Sequence, residues 1–244
     1  MNPLLEKLHV QIFADGADLA GALELYNNPL IRGFTTNPTL MRAAGVADYE
    51  QFARRLLRAI PDRPISFEVI ADDFDEMEWQ AMEISSWGEQ VVVKVPITNT
   101  RGKSSLPLVR RLARARVQLN VTAILKLEQV RETADALGDV SSYISVFAGR
   151  IADTGRDPVP MMEEAVSALR EYPCLQLIWA SPRELLNIFQ ADAIGCHVIT
   201  VTHDLLKKLP LVGKDLTEYS LATVRMFYED AQKAAFCLPQ PEFA

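Results

Sequence analysis

A lysine interrupts an apolar β-branched segment in the run Val91–Pro96. Three consecutive valines are typical of the centre of a buried strand, where an ammonium group is unfavourable to bury. Desolvation disfavours the charged form of an amine, and a neutral amine can attack a carbonyl carbon to form a Schiff base. Lys94 is therefore a candidate nucleophile. The alternative is a lysine near a strand end that reaches solvent or pairs with a carboxylate.

Other polar side chains punctuate apolar runs elsewhere in the chain. They are Asp15, Thr35, Thr36, Asn37, Glu68, Asn120, Thr122, Ser145 and Arg150. An amine, two carboxylates, carboxamides and hydroxyls suit carbonyl chemistry through a covalent imine. Taken singly, Asp15, Asn37 and Thr122 also fit turns or an ordinary strand. Glu68 is harder to explain that way, because a strand glutamate that faces a barrel interior needs a partner.

Short β-branched runs alternate with longer amphipathic segments along the chain. The predicted strands are residues 10–14, 33–36, 65–70, 91–95, 117–124, 143–147, 175–179 and 198–201. The predicted helices between them are residues 18–26, 49–60, 75–87, 127–137, 160–172 and 182–191. Such alternation implies right-handed βαβ crossovers and a parallel sheet.

Eight such units predict an α/β fold, a single-domain (β/α)₈ TIM barrel over residues 1–244. A doubly wound open sheet is the main alternative, but no GxGxxG motif follows the first strand. Catalytic groups of a barrel lie at the C-terminal ends of its strands, so the polar residues above are expected to converge there.

A further helix is predicted after the eighth strand, at about residues 215–236, with a short tail at 237–244. Leu221, Val224, Met226, Phe227 and Ala231 form an apolar stripe along this helix. A barrel does not require a helix at this point. The stripe is expected to be buried on the barrel's own flank or on a neighbouring subunit.

The composition excludes several classes of protein. A net charge of −7 argues against a nucleic-acid partner, and arginines 110, 111, 114 and 116 have the spacing of a solvated helix face. No apolar run approaches the roughly 20 residues that span a membrane. The three histidines and three cysteines lack metal-ligand spacing, so no metal or cofactor is expected. An odd cysteine count without an N-terminal apolar signal predicts a reducing, cytoplasmic location.

Five motifs in this order resemble the transaldolase family. They are Phe-Ala-Asp (13–15), Gly-Phe-Thr-Thr-Asn-Pro-Thr (33–39), Lys-Val-Pro-Ile-Thr (94–98), Asn-Val-Thr (120–122) and Ser-Val-Phe-Ala-Gly-Arg-Ile-Ala-Asp (145–153). Their spacing agrees with the family over roughly residues 10–155, and more weakly to the C-terminal helix. The resemblance implies a metal-free class I aldolase barrel whose Schiff-base lysine is on the fourth strand, the predicted position of Lys94.

The resemblance also implies roles for individual residues. Lys94 would attack the C2 ketone of a ketose, and Asp15 would take the proton of the C4 hydroxyl while the C3–C4 bond breaks. Glu68, with Thr122, would hold a water that handles protons. The expected contacts to the bound three-carbon fragment come from Asn37, Asn120 and Ser145. The expected substrate-binding set also includes Thr36, Phe147 and Arg150, together with Ser181 and Arg183, which stand where this chain departs from the family.

Two activities share this scaffold and differ at two positions. Transferases of the family resemble one another in having glutamate at the position of Glu68 and phenylalanine at that of Phe147. The related fructose 6-phosphate aldolases have glutamine and tyrosine there. A tyrosine hydroxyl could help to release free dihydroxyacetone, whereas phenylalanine cannot. The sequence therefore favours transfer of a dihydroxyacetone unit between sugar phosphates over free cleavage.

One element departs from the family pattern. Family members usually follow the seventh strand with Ser-Phe-Arg or Ser-Phe-Lys, which helps to bind the sugar phosphate, whereas this chain has a rewritten loop at residues 178–183. Arg150 is one expected anion contact, and Ser181 with Arg183 would supply the other. Lys126 is a further candidate, although a surface lysine at a helix start is the simpler interpretation.

Two other functions stay open on the sequence. The rewritten loop also fits an enzyme for a modified ketose, either unphosphorylated or sulfonated. A barrel that only binds sugar or serves assembly is a third hypothesis, but it has no chemical need for Lys94. The expected partners are a small-molecule sugar and further copies of the chain, since the small transaldolase subgroup tends toward ring-like homo-oligomers.

Overall fold

The computed structural model describes residues 2–238. Eight parallel strands form a closed barrel in which each strand pairs with the next and the eighth pairs with the first. The strands are β1 (Gln11–Asp15), β2 (Ile31–Thr35), β3 (Ile65–Glu68), β4 (Val91–Pro96), β5 (Leu119–Ile124), β6 (Ser142–Val146), β7 (Leu175–Trp179) and β8 (Val198–Thr202). The predicted (β/α)₈ TIM barrel is confirmed.

Twelve α-helices are found within residues 2–238. They are α1 (Pro3–Glu6), α2 (Leu19–Tyr26), α3 (Pro38–Ala43), α4 (Tyr49–Ala59), α5 (Phe74–Ser85), α6 (Leu106–Arg114), α7 (Leu127–Leu137), α8 (Ala148–Ala152), α9 (Val159–Ala168), α10 (Leu186–Ala193), α11 (His203–Leu206) and α12 (Leu216–Lys233). Short 3₁₀ turns follow α9 and α11, at Leu169–Glu171 and Leu209–Leu211. Asp18, Asp48 and Asp73 cap the starts of α2, α4 and α5 with their side chains, which explains where these helices begin.

Some element ends differ from the predicted ones for local reasons. β3 ends at Glu68 rather than at residue 70, because the backbone N–H of Ile70 donates to Oε1 of Gln80 instead of to a strand. β5 begins at Leu119 rather than at residue 117, because Arg116 has a left-handed backbone and closes the end of α6. α10 begins at Leu186, four residues later than predicted, after a loop that starts at a left-handed Ser181.

The barrel interior has an apolar lower layer. Phe13, Val92, Tyr143, Ile178 and Val198 pack together there, while the outward side chains of the strands form the larger core beneath the helices. A Cβ atom on Gly33 would lie only 2.7 Å from the ring of Phe13, so a glycine is required opposite this ring.

α12 is set apart from this core. None of its residues is buried, and Val224 and Phe227 are 60% and 64% exposed. Burial of the apolar stripe on the barrel's own flank, one of the two predicted possibilities, is therefore wrong. Of the predicted tail, residues 239–244 lie outside the described part of the chain. Within residues 2–238, no helix combines the length and the apolar character needed to cross a membrane.

Candidate active site

Lys94 is the centre of a polar layer above the apolar one. It is 6% exposed, and its Nζ donates to the backbone oxygen of Thr36 at 2.9 Å. The same Nζ lies 3.2 Å from Oε2 of Glu68, which is its neighbour across the β3–β4 pair. Lys94 thus has a carboxylate partner, as the alternative interpretation expected, but inside the barrel rather than in solvent.

The end of β3 that carries Glu68 is held from outside the barrel. Tyr49 on α4 donates its hydroxyl hydrogen bond to the backbone oxygen of Glu68 at 2.8 Å. Its ring packs edge-on against Phe67 and Trp87. Burial raises the pKa of Tyr49, so the phenol stays a donor at neutral pH. Glu68 therefore faces Lys94 from a fixed backbone position.

Asp15, at the end of β1, is a partly buried carboxylate near Lys94. Its Oδ1 accepts a hydrogen bond from Thr35 Oγ1 at 2.8 Å, and Thr35 Oγ1 lies 2.5 Å from Thr200 Oγ1 on β8. Burial raises the pKa of Asp15, and the positive charge of Lys94 and the bond from Thr35 only partly oppose that shift. A carboxylate with a raised pKa is a stronger base, which suits proton abstraction.

Asn120 and Ser145 are joined in a buried hydrogen-bond chain next to Lys94. Ser145 Oγ donates to Asn120 Oδ1 at 2.7 Å, and Asn120 Nδ2 donates to Ser66 Oγ at 3.2 Å. Asn120 pairs in register with Lys94 across β4 and β5. The chain fixes the carboxamide beside the amine, and each member retains unused hydrogen-bonding capacity.

The other expected contacts on β2 and β5 are in different states. The hydroxyl of Thr122 is buried and has no hydrogen-bond partner among residues 2–238. By contrast, Thr36 donates to the backbone oxygen of Ser66, and Asn37 caps α3 by accepting from the N–H of Leu40. The hydroxyl of Thr122 therefore keeps its full hydrogen-bonding capacity, whereas Thr36 and Asn37 already stabilise the local backbone.

A second group of expected residues lies after β6 and β7. The guanidinium of Arg150 lies over the ring of Phe147, 5.5 Å from its centroid. Arg183 donates from Nη1 to Ser181 Oγ at 3.1 Å and makes a bidentate pair with Asp153. The structure thus brings two guanidinium groups to the same side of the barrel mouth. Lys126 instead lies exposed at the N-cap of α7, as expected of a surface lysine at a helix start.

Four residues of this region were not among those singled out from the sequence. Ser66 and Thr200 follow from the two-residue period of strands, because each alternates inward with a residue of its own strand. Asp153 lies one helical turn after Arg150, and this spacing places the two residues on the same face of a helix. His203 directly follows β8 and packs closely against two glycines. A Cβ atom on Gly16 or Gly21 would lie only 2.8 or 2.7 Å from its imidazole ring.

The described residues, 2–238, contain no group of three or more histidine, cysteine or acidic side chains that could hold a metal ion. Burial lowers the pKa of His203, and nearby Asp18 partly opposes this shift. The chemical content of the mouth is thus one buried amine, two carboxylates beside it, a carboxamide–hydroxyl chain and two arginines.

Comparison with known proteins identifies relatives along nearly the whole chain. The family model described as Transaldolase/Fructose-6-phosphate aldolase matches residues 12–238. A probable transaldolase of Dehalococcoides mccartyi is 30% identical over 225 residues, which are 92% of this chain and 100% of that protein. A probable transaldolase of Pelotomaculum thermopropionicum is 32% identical over 226 residues, with 92% and 98% covered.

Solved structures resemble this chain in fold. A 3-hexulose-6-phosphate synthase has a TM-score of 0.57 at 16% identity, over 80% of this chain and 90% of that one. A dihydrodipicolinate synthase of Rhodopseudomonas palustris has a TM-score of 0.55 at 13% identity, over 79% and 69%. At such identities the likeness concerns the fold alone.

Proposed function

This chain belongs to the transaldolase/fructose-6-phosphate aldolase family, and from that premise we propose that it transfers a dihydroxyacetone unit between sugar phosphates. The donor is a ketose phosphate, such as fructose 6-phosphate or sedoheptulose 7-phosphate, and the acceptor is an aldose phosphate. The observation that carries the proposal is the buried amine of Lys94, 3.2 Å from the carboxylate of Glu68 inside the barrel.

The first step is formation of an imine on Lys94. The amine attacks C2 of the ketose, and the carbinolamine loses its hydroxyl as water to give an iminium ion. Glu68 is close enough to Nζ to accept the proton that Lys94 must lose before its neutral amine attacks, and to return it to the departing hydroxyl. The unpaired hydroxyl of Thr122 supports this role, because it can hold the water that carries the proton.

Cleavage follows on the other side of the bound sugar. Asp15 takes the proton of the C4 hydroxyl, the C3–C4 bond breaks, and its electron pair enters the iminium to give an enamine while an aldehyde leaves. The imine is the electron sink, so the proposed reaction uses no metal ion or cofactor for this purpose. The acceptor aldehyde then adds to the enamine and recovers the proton from Asp15. Finally, hydrolysis of the imine releases the new ketose.

The three-carbon unit needs to stay bound between these steps. The linked pair Asn120 and Ser145 lies beside Lys94 and can bond its hydroxyls without reorganising. Asn37 retains its amide hydrogens for the same task, since only its oxygen is used in capping α3. Thr36 contributes through the backbone oxygen that accepts from Lys94.

Phe147 supports transfer rather than release of free dihydroxyacetone. Phe147 directly follows β6, and its partly buried ring packs against the apolar layer inside the barrel. It has no hydroxyl that could position water for hydrolysis of the enamine, and the guanidinium of Arg150 covers it. An enamine that is shielded from water persists until an acceptor aldehyde arrives.

The terminal phosphate is proposed to bind Arg150, Ser181 and Arg183. Ser181 accepts its bond from Arg183 Nη1, so its own hydroxyl proton is available to an anion. A specific observation also favours the second candidate, an enzyme for a sulfonated or unphosphorylated ketose. Asp153 neutralises one of the two arginines, which leaves a net charge of about +1 for a terminal group.

We further propose that the protein is a homo-oligomer that works in cytoplasmic carbohydrate metabolism of the pentose phosphate type. The support for assembly is α12, an amphipathic helix of 18 residues without a single buried one. The support for the compartment is that the three cysteines are unpaired.

Borohydride trapping tests the reaction. The protein is incubated with fructose 6-phosphate or with fructose, reduced, digested and analysed by mass spectrometry. We expect a three-carbon adduct on the Lys94 peptide, its absence in Lys94→Arg, and its presence in a Lys103→Arg control, whose substituted residue is an exposed loop lysine. Labelling only by the unphosphorylated sugar would favour the second candidate, and no adduct from either sugar would refute Schiff-base chemistry. Transfer to erythrose 4-phosphate then separates transferase from free aldolase activity.

A further inference from the structure

We propose that Asp153 is a positioning residue that orients Arg183 toward the terminal anionic group of the substrate. This inference rests on the proposed function. Asp153 is the C-cap residue of α8, and its backbone N–H donates to the oxygen of Gly149 at 3.0 Å. Its carboxylate is therefore held by a helix that directly follows β6, whereas Arg183 belongs to an irregular loop after β7.

The hydrogen bonds of Arg183 occupy only some of its guanidinium hydrogens. Nε of Arg183 donates to Oδ1 of Asp153 at 2.8 Å, and Nη2 donates to Oδ2 at 2.5 Å. Nη1 donates to Ser181 Oγ at 3.1 Å. One hydrogen on Nη1 and one on Nη2 remain, and both are available to an oxyanion.

The loop itself is packed tightly enough to transmit this orientation. Ser181 has a left-handed backbone, and its oxygen lies 1.5 Å from where a Cβ on Gly149 would be. The N–H of Gly149 donates to the oxygen of Ala180. α8 and the loop after β7 are thus in backbone contact, and the Asp153–Arg183 pair links their side chains above that contact.

Two effects of the Asp153 carboxylate on anion binding have opposite signs. Its negative charge repels an anion, and it also holds the guanidinium of Arg183 in place. The side chains of Arg183 and Asp153 are 45% and 51% exposed, so solvent screens the repulsion. Screening also weakens the ion pair, but a bidentate arginine–carboxylate pair made through two direct hydrogen bonds is the exposed geometry that keeps most of its strength. We therefore infer that orientation has the larger effect.

The test is a measurement of binding that needs no catalysis. Glucitol 6-phosphate and glucitol lack a ketone and cannot form an imine, and their dissociation constants are measured by calorimetry with the full-length protein. We expect Asp153→Asn to weaken binding of glucitol 6-phosphate about tenfold, the effect of one charge-assisted hydrogen bond, and to leave binding of glucitol unchanged. Tighter or equal binding of glucitol 6-phosphate by this variant would overturn the proposal, since removal of repulsion would then be the larger effect.

Two further variants show whether Asp153 acts through Arg183. In an Arg183→Met background, Asp153→Asn is expected to have no additional effect on binding of glucitol 6-phosphate. An equal loss in both backgrounds would overturn the proposal. Asp139→Asn is the matched control, because it removes the acidic partner of the exposed pair Arg116–Asp139. These two residues precede β5 and β6 and so lie at the opposite end of the barrel, and we expect the variant to leave binding unchanged.

The outcome is separable from that of the reaction. If wild-type protein binds glucitol and glucitol 6-phosphate equally, the positioning role is refuted, yet borohydride labelling of Lys94 by an unphosphorylated donor would leave the imine mechanism intact. If no donor labels Lys94 but glucitol 6-phosphate still binds in an Asp153-dependent way, the mechanism fails and the positioning role stands.

Discussion

Replacement of Gly149 by alanine is the sharpest structural test of the mouth of this barrel. The added Cβ would lie 1.5 Å from the backbone oxygen of Ser181, whereas real Cβ contacts essentially never fall below 3.0 Å. In the variant, α8 must therefore move away from the loop that follows β7 by at least about 1.5 Å. The clash is with backbone, so no rotation of a side chain relieves it.

The magnitude has two contributions. Alanine in place of glycine within a helix stabilises it by about 0.5–1 kcal/mol, whereas overpacking a filled site costs about 1–3 kcal/mol. We expect the free energy of unfolding to fall by about 1–2 kcal/mol. A shift of this size at Ser181 and Arg183 should raise KM for fructose 6-phosphate by about tenfold to a hundredfold, with less effect on unphosphorylated donors.

The assays are urea denaturation and steady-state transfer kinetics. Gly88→Ala is the matched control, because its Cβ would meet nothing closer than 3.7 Å, and it should change stability by less than about 0.5 kcal/mol. A Gly149→Ala protein as stable as the wild type, with an unchanged KM for fructose 6-phosphate, would show that the loop does not lie against α8 as described.

Three other predictions concern separate parts of the molecule. Thr35→Val removes a hydrogen bond that favours ionised Asp15, so the pKa of Asp15 should rise further. The acid limb of the pH profile of kcat/KM should then move to higher pH, and a downward shift would contradict this. Thr133→Val should raise the free energy of unfolding by about 1 kcal/mol in urea titrations, because the hydroxyl of Thr133 is buried without a partner among residues 2–238. The control Thr223→Val breaks a hydrogen bond to the backbone oxygen of Tyr219 and should not stabilise the protein. The double variant Val224→Lys, Phe227→Lys should lower the mass found by analytical ultracentrifugation, whereas Trp79→Lys, Met82→Lys on exposed positions of α5 should not; equal masses would exclude α12 from assembly.

The fold could be predicted from the sequence because its strands and helices have clear local sequence patterns. The predicted bounds of β7 and α7 agree with the structure, since both have an uninterrupted period and clear ends. Burial of Lys94 followed from the β-branched residues around it, and its inward direction from alternation along β4. These properties depend on neighbours within a few residues.

The contacts of the site were less predictable because they depend on register and loop shape. Thr35 and Thr200 are 165 residues apart and meet only when the barrel closes with a particular stagger. The pair of Arg183 with Asp153 needs the left-handed turn at Ser181, for which the sequence has no glycine signal. The location of α12 could not be predicted, since no part of the described chain buries it.

The contact between Gly33 and Phe13 has a consequence for how this sequence can change over generations. The ring of Phe13 fills the space that any larger residue at position 33 would need. A substitution of Gly33 is therefore acceptable only after Phe13 has been replaced by a smaller residue. That replacement alone leaves a cavity in the apolar lower layer of the barrel. The two positions have to change in a fixed order through a less stable intermediate, so each is expected to constrain the mutational history of the other.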